Sequence, residues 1–189
     1  MEDVFVKMPD DMIVQLEEAW RKDLVDLYKS DKVATLENTM QGQSTLLKLT
    51  EDYLLLRSTE HSSVELKLLP LVNNTNIVCV IETVYAPVAD SRVSFYTTEW
   101  QPLVADGLYT PVEAGWFWKE KSELSQKGFI DAVAGLDLFL VKYSLNAENT
   151  SLTAEYMTPQ YLNEESRNKI KPLLKADTKT YQWALGRFE

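Results

Sequence analysis

The clearest structural pattern of this chain lies in residues 64–98, which read VELKLLPLVNNTNIVCVIETVYAPVADSRVSFYTT. Apolar residues alternate with other residues along most of this stretch, which is the two-residue period of a β-strand. Residues 73–76 (Asn-Asn-Thr-Asn) and residues 86–91, which begin with Ala-Pro, interrupt the alternation with residue types typical of turns. Turns this short require antiparallel pairing, because a parallel return needs a crossover of about a dozen residues. The stretch therefore predicts three strands of an antiparallel meander.

The strand predicted over residues 77–85 is apolar on both of its faces. Its odd-numbered positions include Ile77, Cys79 and Ile81, and its even-numbered positions include Val78 and Val80. A strand with two apolar faces is typical of the centre of a sheet that is covered on both sides. Alternation continues outward on both sides of this strand, so the sequence predicts a meander over about residues 45–103.

The N-terminal segment has a helical period instead. Residues from about Pro9 to Lys29 begin with Pro-Asp-Asp, which is typical of a helix start. Apolar residues then recur every three or four positions, at Ile13, Leu16, Trp20, Leu24, Leu27 and Tyr28. This spacing puts them on one face of a helix. The sequence predicts an amphipathic helix packed on the meander.

The C-terminal third again has the strand period. Alternating apolar residues predict strands around residues 139–145, 152–156 and 181–185, with a turn at 146–149. Asn163 is expected to cap a short helix that Pro172 limits. The intervening segment, residues 104–135, is poorly patterned apart from a candidate helix over 122–134. We therefore expect a single α+β domain over residues 1–189, with a C-terminal β-rich sub-lobe joined to the meander around 104–135.

Composition and charge exclude several classes of function. The 189 residues carry 19 basic and 29 acidic side chains, for a net charge of −10, so we expect no nucleic-acid partner. One His and one Cys make a His-rich metal site improbable and exclude an internal disulfide. Apolar runs are shorter than the roughly 20 residues of a membrane span. The sequence predicts no metal, no cofactor and no membrane span.

Three consecutive aromatic residues, Trp116, Phe117 and Trp118, form the candidate binding site. Side chains of neighbouring residues point in different directions in a strand or a helix, so all three cannot enter one core. An exposed aromatic ring suits a protein interface or stacking on a sugar, which makes an envelope protein or a glycan the expected partner. The alternative interpretation is packing between the sub-lobes of the chain. We expect Trp116 or Trp118 at a sub-lobe junction or an intermolecular contact.

Other residues that could carry chemistry have simpler interpretations. His61 lies in a polar turn, where a solvated histidine is expected. Cys79 lies in the apolar central strand, which predicts a buried and unreactive thiol. Five carboxylates could serve a hydrolase if the fold brought a pair of them together in a cleft: Asp90, Glu99, Asp106, Asp131 and Asp137. Turn capping and surface solvation are their alternative roles.

Several strings of residues resemble one uncharacterised family, the domain of unknown function family 3256 of Bacteroidales-type bacteria. The strings are KLLPL at residues 67–71, IVCVIETV at 77–84, APVADSRVSFYTTEW at 86–100, TPQYL at 158–162 and WALGRFE at 183–189. The resemblance covers nearly the whole chain and is weakest over residues 104–135. It implies no activity and no functional residue. It implies exported proteins whose signal peptides are removed.

The compartment and the function follow from these observations as expectations. The chain begins with acidic residues and lacks the apolar core of a signal peptide, so a cytoplasmic protein and a mature exported chain both fit. The resemblance favours the periplasm or the cell surface. We expect a non-catalytic, exported binding or interaction module of the bacterial envelope. A carboxylate-dependent hydrolase with a cleft between sub-lobes is the alternative, and a structural role in an envelope assembly is a third hypothesis.

Overall fold

A computed structural model describes residues 1–120, 136–176 and 178–189. The helix expected over residues 122–134 lies outside this part of the chain. The α-helices of the described residues are α1 (Glu2–Val6), α2 (Glu18–Lys29), α3 (Thr158–Tyr161) and α4 (Glu164–Ile170). Short 3₁₀ helices occur at Asp10–Met12, Ala114–Phe117 and Lys171–Leu173. None of the described helices is long and apolar enough to cross a membrane.

The strands form two antiparallel sheets. The first sheet has seven strands in chain order: β1 (Thr35–Glu37), β2 (Gln43–Leu49), β3 (Tyr53–Thr59), β4 (Ser62–Pro70), β5 (Asn76–Tyr85), β6 (Ala89–Thr97) and β7 (Pro102–Leu103). The second sheet has the order β11-β10-β9-β8 and is made of β8 (Val141–Leu145), β9 (Ser151–Tyr156), β10 (Thr178–Ala184) and β11 (Arg187–Phe188). The predicted α+β class and antiparallel meander are confirmed. The meander begins earlier than predicted, because β1 precedes residue 45.

The central strand β5 is covered on both faces, as its sequence predicts. Ile77, Cys79 and Ile81 belong to an apolar core shared with the second sheet. Val78 and Val80 belong to a separate core shared with the N-terminal helices. The fold therefore has three layers, with the N-terminal helices, the seven-stranded sheet and the four-stranded sheet stacked in that order.

The continuous N-terminal helix predicted from Pro9 to Lys29 is wrong in its first half. The chain forms α1, a 3₁₀ turn at Asp10–Met12 and, only from Glu18, the helix α2. The Arg21 guanidinium explains the interruption, since it donates hydrogen bonds to backbone carbonyls of Val6, Met8 and Leu16. A continuous helix from Pro9 would use the Leu16 carbonyl internally, whereas the broken path leaves it free for the buried Arg21 side chain.

The turn expected at residues 86–91 is shorter than predicted. Strand β6 begins at Ala89, so only residues 86–88 connect it to β5. The backbone N–H of Val141 donates to Asp90 Oδ1 (3.1 Å), and the N–H of Tyr143 donates to Ser91 Oγ (3.0 Å). These polar side chains resemble turn residues in the sequence, but the tertiary structure uses them to bind the second sheet.

The C-terminal third follows its predicted order. Strands β8, β9 and β10 occupy the predicted alternating segments, with boundaries that differ by a few residues. Asn163 caps α4, because its Oδ1 accepts a hydrogen bond from the Ser166 N–H at 2.9 Å. The helix ends at Ile170, before Pro172. Proline lacks an N–H donor and clashes with the preceding turn, which explains the end of the α-helix there.

Candidate functional site

The aromatic run is packed largely inside the protein. Phe117 is fully buried and stacks on Tyr156, with ring centroids 4.8 Å apart and planes 11° from parallel. Trp118 is buried too, and its backbone forms a bridge with that of Leu174. Trp116 is half-buried. One of the three rings is thus partly exposed, as the sequence predicts, while Phe117 and Trp118 contact the second sheet rather than a free surface.

Two lysines cover the partly exposed ring of Trp116. Lys175 Nζ lies 4.7 Å from the ring centroid and Lys179 Nζ lies 5.7 Å from it. Lys179 also lies 4.2 Å from the centroid of the Tyr181 ring. Burial and the neighbouring charge of Lys175 lower the pKa of Lys179. A sugar stacking on Trp116 would have to displace at least one of these cation–π contacts, and a binding role for Trp116 stays a prediction.

The other candidate residues that the structure describes lie on different elements of the fold. His61 is exposed in the turn between β3 and β4, as predicted. Cys79 is fully buried, and burial and the charge of Glu65 raise the pKa of its thiol, which fits the expected lack of reactivity. Among the five carboxylates, Asp90 binds the β8 backbone. Glu99, Asp106 and Asp137 are exposed, and Asp131 lies outside the described residues.

Polar side chains of the first sheet bind the free edge of β8. Val141, Tyr143 and Leu145 point their N–H groups away from β9, and the third of these groups donates to Glu65 Oε2 at 2.9 Å. The Tyr53 hydroxyl donates to the same carboxylate oxygen at 3.1 Å. The free edge of a strand otherwise exposes unpaired donors. These contacts fix β8 across strands β4 to β6.

Contacts of two lysine side chains hold the turn that follows β8. Lys67 is completely buried, and its ammonium group donates to the carbonyl of Ala147 (3.1 Å) and pairs with Asp52 (2.8 Å). Lys48 forms an ion pair with Glu148 at 2.8 Å. Together with the contacts of β8, these contacts place the second sheet over the part of the seven-stranded sheet that carries Glu65 and Lys67. The neighbouring corner of the same face, which carries Arg57, stays open to solvent.

Glu65 makes the stability of this contact depend on pH. Burial raises the pKa of Glu65, although the Leu145 N–H and the Tyr53 hydroxyl act in the opposite direction. The unfolded carboxyl ionises at lower pH than the folded one, so its contribution to stability is present below about pH 4.5 and is lost as pH rises through the folded pKa. Glu65→Gln should remove this decline, since Gln does not titrate. Urea denaturation of the wild-type protein and of Glu65→Gln at about pH 4 and pH 8 measures how the free energy of unfolding changes with pH. An equal decline in both proteins would contradict the prediction.

The open corner of the seven-stranded sheet forms a groove of about 610 Å³. We call it the sheet groove. Its lining comes from β2 and the residue before it, β3, β4, the turn between β3 and β4, and the end of β5: Gly42, Gln43, Thr45, Leu47, Leu55, Arg57, Glu60, Ser62, Ser63 and Tyr85. Small-molecule sites have volumes of about 300–1,000 Å³. The groove therefore has the size of a ligand site.

Strand register places a polar row on the floor of the groove. Thr45 pairs with Arg57, Arg57 with Ser63, and Ser63 with Thr83, so all four lie in one row across β2 to β5. The next row of the same face contains Leu55 and Glu65, which is beneath β8. The polar row thus continues the face that the second sheet covers.

Arg57 is the group in the groove with unused binding capacity. Its side chain is exposed, and within residues 1–120, 136–176 and 178–189 its guanidinium forms neither a hydrogen bond nor an ion pair. By contrast, Tyr85 Oη lies 3.0 Å from Ser63 Oγ, and Ser62 Oγ lies 2.8 Å and 2.6 Å from the hydroxyl oxygens of Ser58 and Thr59. In its described lining, the groove therefore holds one cation without a partner beside hydroxyl groups that bond to one another.

Sequence reasoning missed the sheet groove. The available signal was Arg57, a charge on the face of β3 that also carries the apolar residues Tyr53 and Leu55. In a strand of a covered sheet, a charged residue on the apolar face indicates an opening or a buried partner. The strand period alone does not say which of these occurs.

These features define a three-layer α+β protein with an open sheet groove. The chain belongs to the family described as "Protein of unknown function (DUF3256)", whose model matches residues 1–188, and this confirms the resemblance. Similar in structure is a domain of an uncharacterized protein from Porphyromonas gingivalis W83, with a TM-score of 0.87 and 27% sequence identity over 100% of this chain and 97% of that one. None of the curated proteins compared with the sequence matches it.

Proposed function

We propose that the protein is a non-catalytic binding module of the bacterial envelope and that the sheet groove is its binding site. The observation that carries the proposal is the exposed Arg57 guanidinium, which has no partner in the described part of the chain. Arginine with free donors is a common recognition group because its planar fork binds oxygen atoms in pairs. The groove offers this group beside apolar walls, which is the usual composition of a ligand site.

The alternative, a carboxylate-dependent hydrolase, has less support. Such chemistry needs two carboxyl groups at a defined separation. Glu60 is the one carboxylate among the described lining residues of the sheet groove. The arrangement of the groove favours ligand binding over acid–base catalysis by a carboxylate pair.

Location in the envelope rests on the family. The resemblance implies exported proteins, and the similar structure comes from Porphyromonas gingivalis, which belongs to the Bacteroidales. An envelope protein or a glycan stays the proposed partner of the partly exposed Trp116 ring. Fractionation of the producing cells, with detection by antibody, tests the location. Recovery of the protein in the cytoplasmic fraction alone would contradict it.

The binding site is tested by a fragment screen with two matched variants. Leu47 lines the groove and is 41% exposed, so Leu47→Glu should change the groove wall with little effect on stability. Val72 is 80% exposed and lies in the turn between β4 and β5, at the opposite end of these strands from the groove lining, so Val72→Glu introduces the same charge away from the groove. Fragments that bind the wild-type protein should lose binding in Leu47→Glu and keep it in Val72→Glu. Ligand-detected NMR measures this.

Two outcomes would overturn the proposed site. Fragments that bind equally well to all three proteins would place binding outside the sheet groove. A screen without any binding fragment would show that the groove does not act as a ligand site. Thermal unfolding of each variant provides the control that loss of binding is not loss of fold.

A further inference from the structure

We infer that the ligand of the sheet groove is a small monocarboxylate with an apolar body. This inference rests on the proposed function and specifies the chemical class of ligand. It is carried by the juxtaposition of three groups among the described residues that line the groove: a guanidinium without a partner there, a single carboxylate and an apolar wall.

The guanidinium of Arg57 selects an anionic oxygen group. The residues paired with it on β2 and β4, Thr45 and Ser63, are both uncharged, so the neighbouring strands do not neutralise it. The chain has a net charge of −10, which repels anions at long range. Arg57 therefore binds an anion by direct contact, and a carboxylate matches its two parallel N–H donors.

Glu60 limits the negative charge that the ligand can carry. It lines the same groove, and it forms no ion pair with Arg57 within the described structure. A second anionic group on the ligand, or the double charge of a phosphate monoester, would meet this carboxylate as a like charge. Among the lining residues that the structure describes, one cation and one anion favour a ligand with one carboxylate.

The apolar wall requires an apolar part of the ligand. Leu47 is 41% exposed, Tyr85 is 38% exposed, and Leu55 is half-buried between them in the lining. The Tyr85 hydroxyl is oriented by Ser63 Oγ at 3.0 Å, which holds the ring against the groove. Contact with a hydrocarbon body would remove these side chains from water, which is favourable in proportion to the buried area.

The ligand class is tested with three probes that share a six-carbon body: hexanoate, hexanamide and hexyl phosphate. Each is titrated into ¹⁵N-labelled protein, and the shifts of groove resonances give the dissociation constants. We expect hexanoate to bind in the millimolar range, which suits a ligand of this size, and about tenfold or more tightly than either other probe. The shifts should map to residues that line the sheet groove.

Arg57→Gln and a matched control variant show whether hexanoate binding depends on the charge of Arg57 or only on the rest of the groove lining. Arg57→Gln should weaken hexanoate binding by about tenfold or more and hexanamide binding much less, because a charged carboxylate gains more from the guanidinium than a neutral amide does. Arg92 is an exposed arginine outside the groove lining, so Arg92→Gln should change neither value.

Different results would overturn the proposed class of ligand and the proposed binding site. Equal binding of hexanoate and hexanamide, both lost in Leu47→Glu, would overturn the monocarboxylate and retain the binding groove. Tighter binding of hexyl phosphate than of hexanoate would do the same. Undetectable binding of hexanoate at the solubility limit, or an affinity that Arg57→Gln leaves unchanged, also overturns the inference. If the probes bind and Leu47→Glu weakens the binding of none of them, the proposed site itself is overturned.

Discussion

Replacing Arg21 by Met is expected to lower the free energy of unfolding by about 3–5 kcal/mol. The Arg21 side chain is 1% exposed and donates hydrogen bonds to carbonyls of Val6, Met8 and Leu16. Met fills the space of the apolar stem but leaves these carbonyls without their donor. A buried polar group that loses its partner costs about 1–3 kcal/mol. Urea denaturation followed by circular dichroism measures the difference.

Asp10 provides the control for the charge of Arg21. The ion pair between Arg21 and Asp10 is 2.8 Å long, but the Asp10 side chain is 62% exposed. Asn keeps a side-chain oxygen that can accept the Arg21 hydrogen bond, and the backbone carbonyls still surround the guanidinium, so Asp10→Asn should cost about 1 kcal/mol, well below the loss in Arg21→Met. If Arg21→Met were as mild as Asp10→Asn, the guanidinium would not organise the N-terminal segment.

Phe117→Ala is the second substitution with a large expected effect, a loss of about 3–5 kcal/mol. Its ring is fully buried and stacks on Tyr156, so truncation leaves a cavity between the aromatic run and the second sheet. Trp116→Ala serves as the comparison within the same 3₁₀ turn. Its side chain is half-buried, and we expect a loss of about 1 kcal/mol.

Chemical denaturation of the two variants distinguishes the roles of the aromatic residues. A small loss for Trp116→Ala together with weakened association with an envelope protein or a glycan would support the predicted binding role of Trp116. A loss on the scale of Phe117→Ala, with association unchanged, would make Trp116 an ordinary core residue. Equal and small losses for both variants would contradict the packing of Phe117 on the second sheet.

The meander could be predicted because its signal is local. Alternation along residues 77–85 makes both faces of one strand apolar, and the short turns around it permit only antiparallel neighbours. The predicted N-terminal helix is too long because the path of its backbone depends on a contact that is not local in the sequence. Apolar spacing is preserved at Ile13 and Leu16, which are buried, but the path of the backbone there depends on a contact made by Arg21. Periodicity reports which residues are buried and does not report what satisfies their carbonyls.

The binding site predicted at Trp116, Phe117 and Trp118 stays a prediction, although the structure changes how much of it is accessible. Three adjacent aromatic residues indicated a surface, but a 3₁₀ turn and a contact with the second sheet bury Phe117 and Trp118. The sheet groove is lined by residues separated by up to about forty positions, from Gly42 to Tyr85, and only strand register brings them together. A one-dimensional pattern contains no information on which part of a sheet face another sheet leaves open.

By itself, the sequence determined the α+β class, the antiparallel meander, the burial of Cys79 and the family. Each of these follows from local period, turn chemistry or residue strings. The tertiary structure alone decided that Glu65 and Lys67 would bind β8 and the turn after it, while Arg57 on the same sheet face would stay open to solvent. The physical reason is that a polar residue on a strand face has no fixed role until a second layer either satisfies its donors and acceptors or leaves them to a ligand.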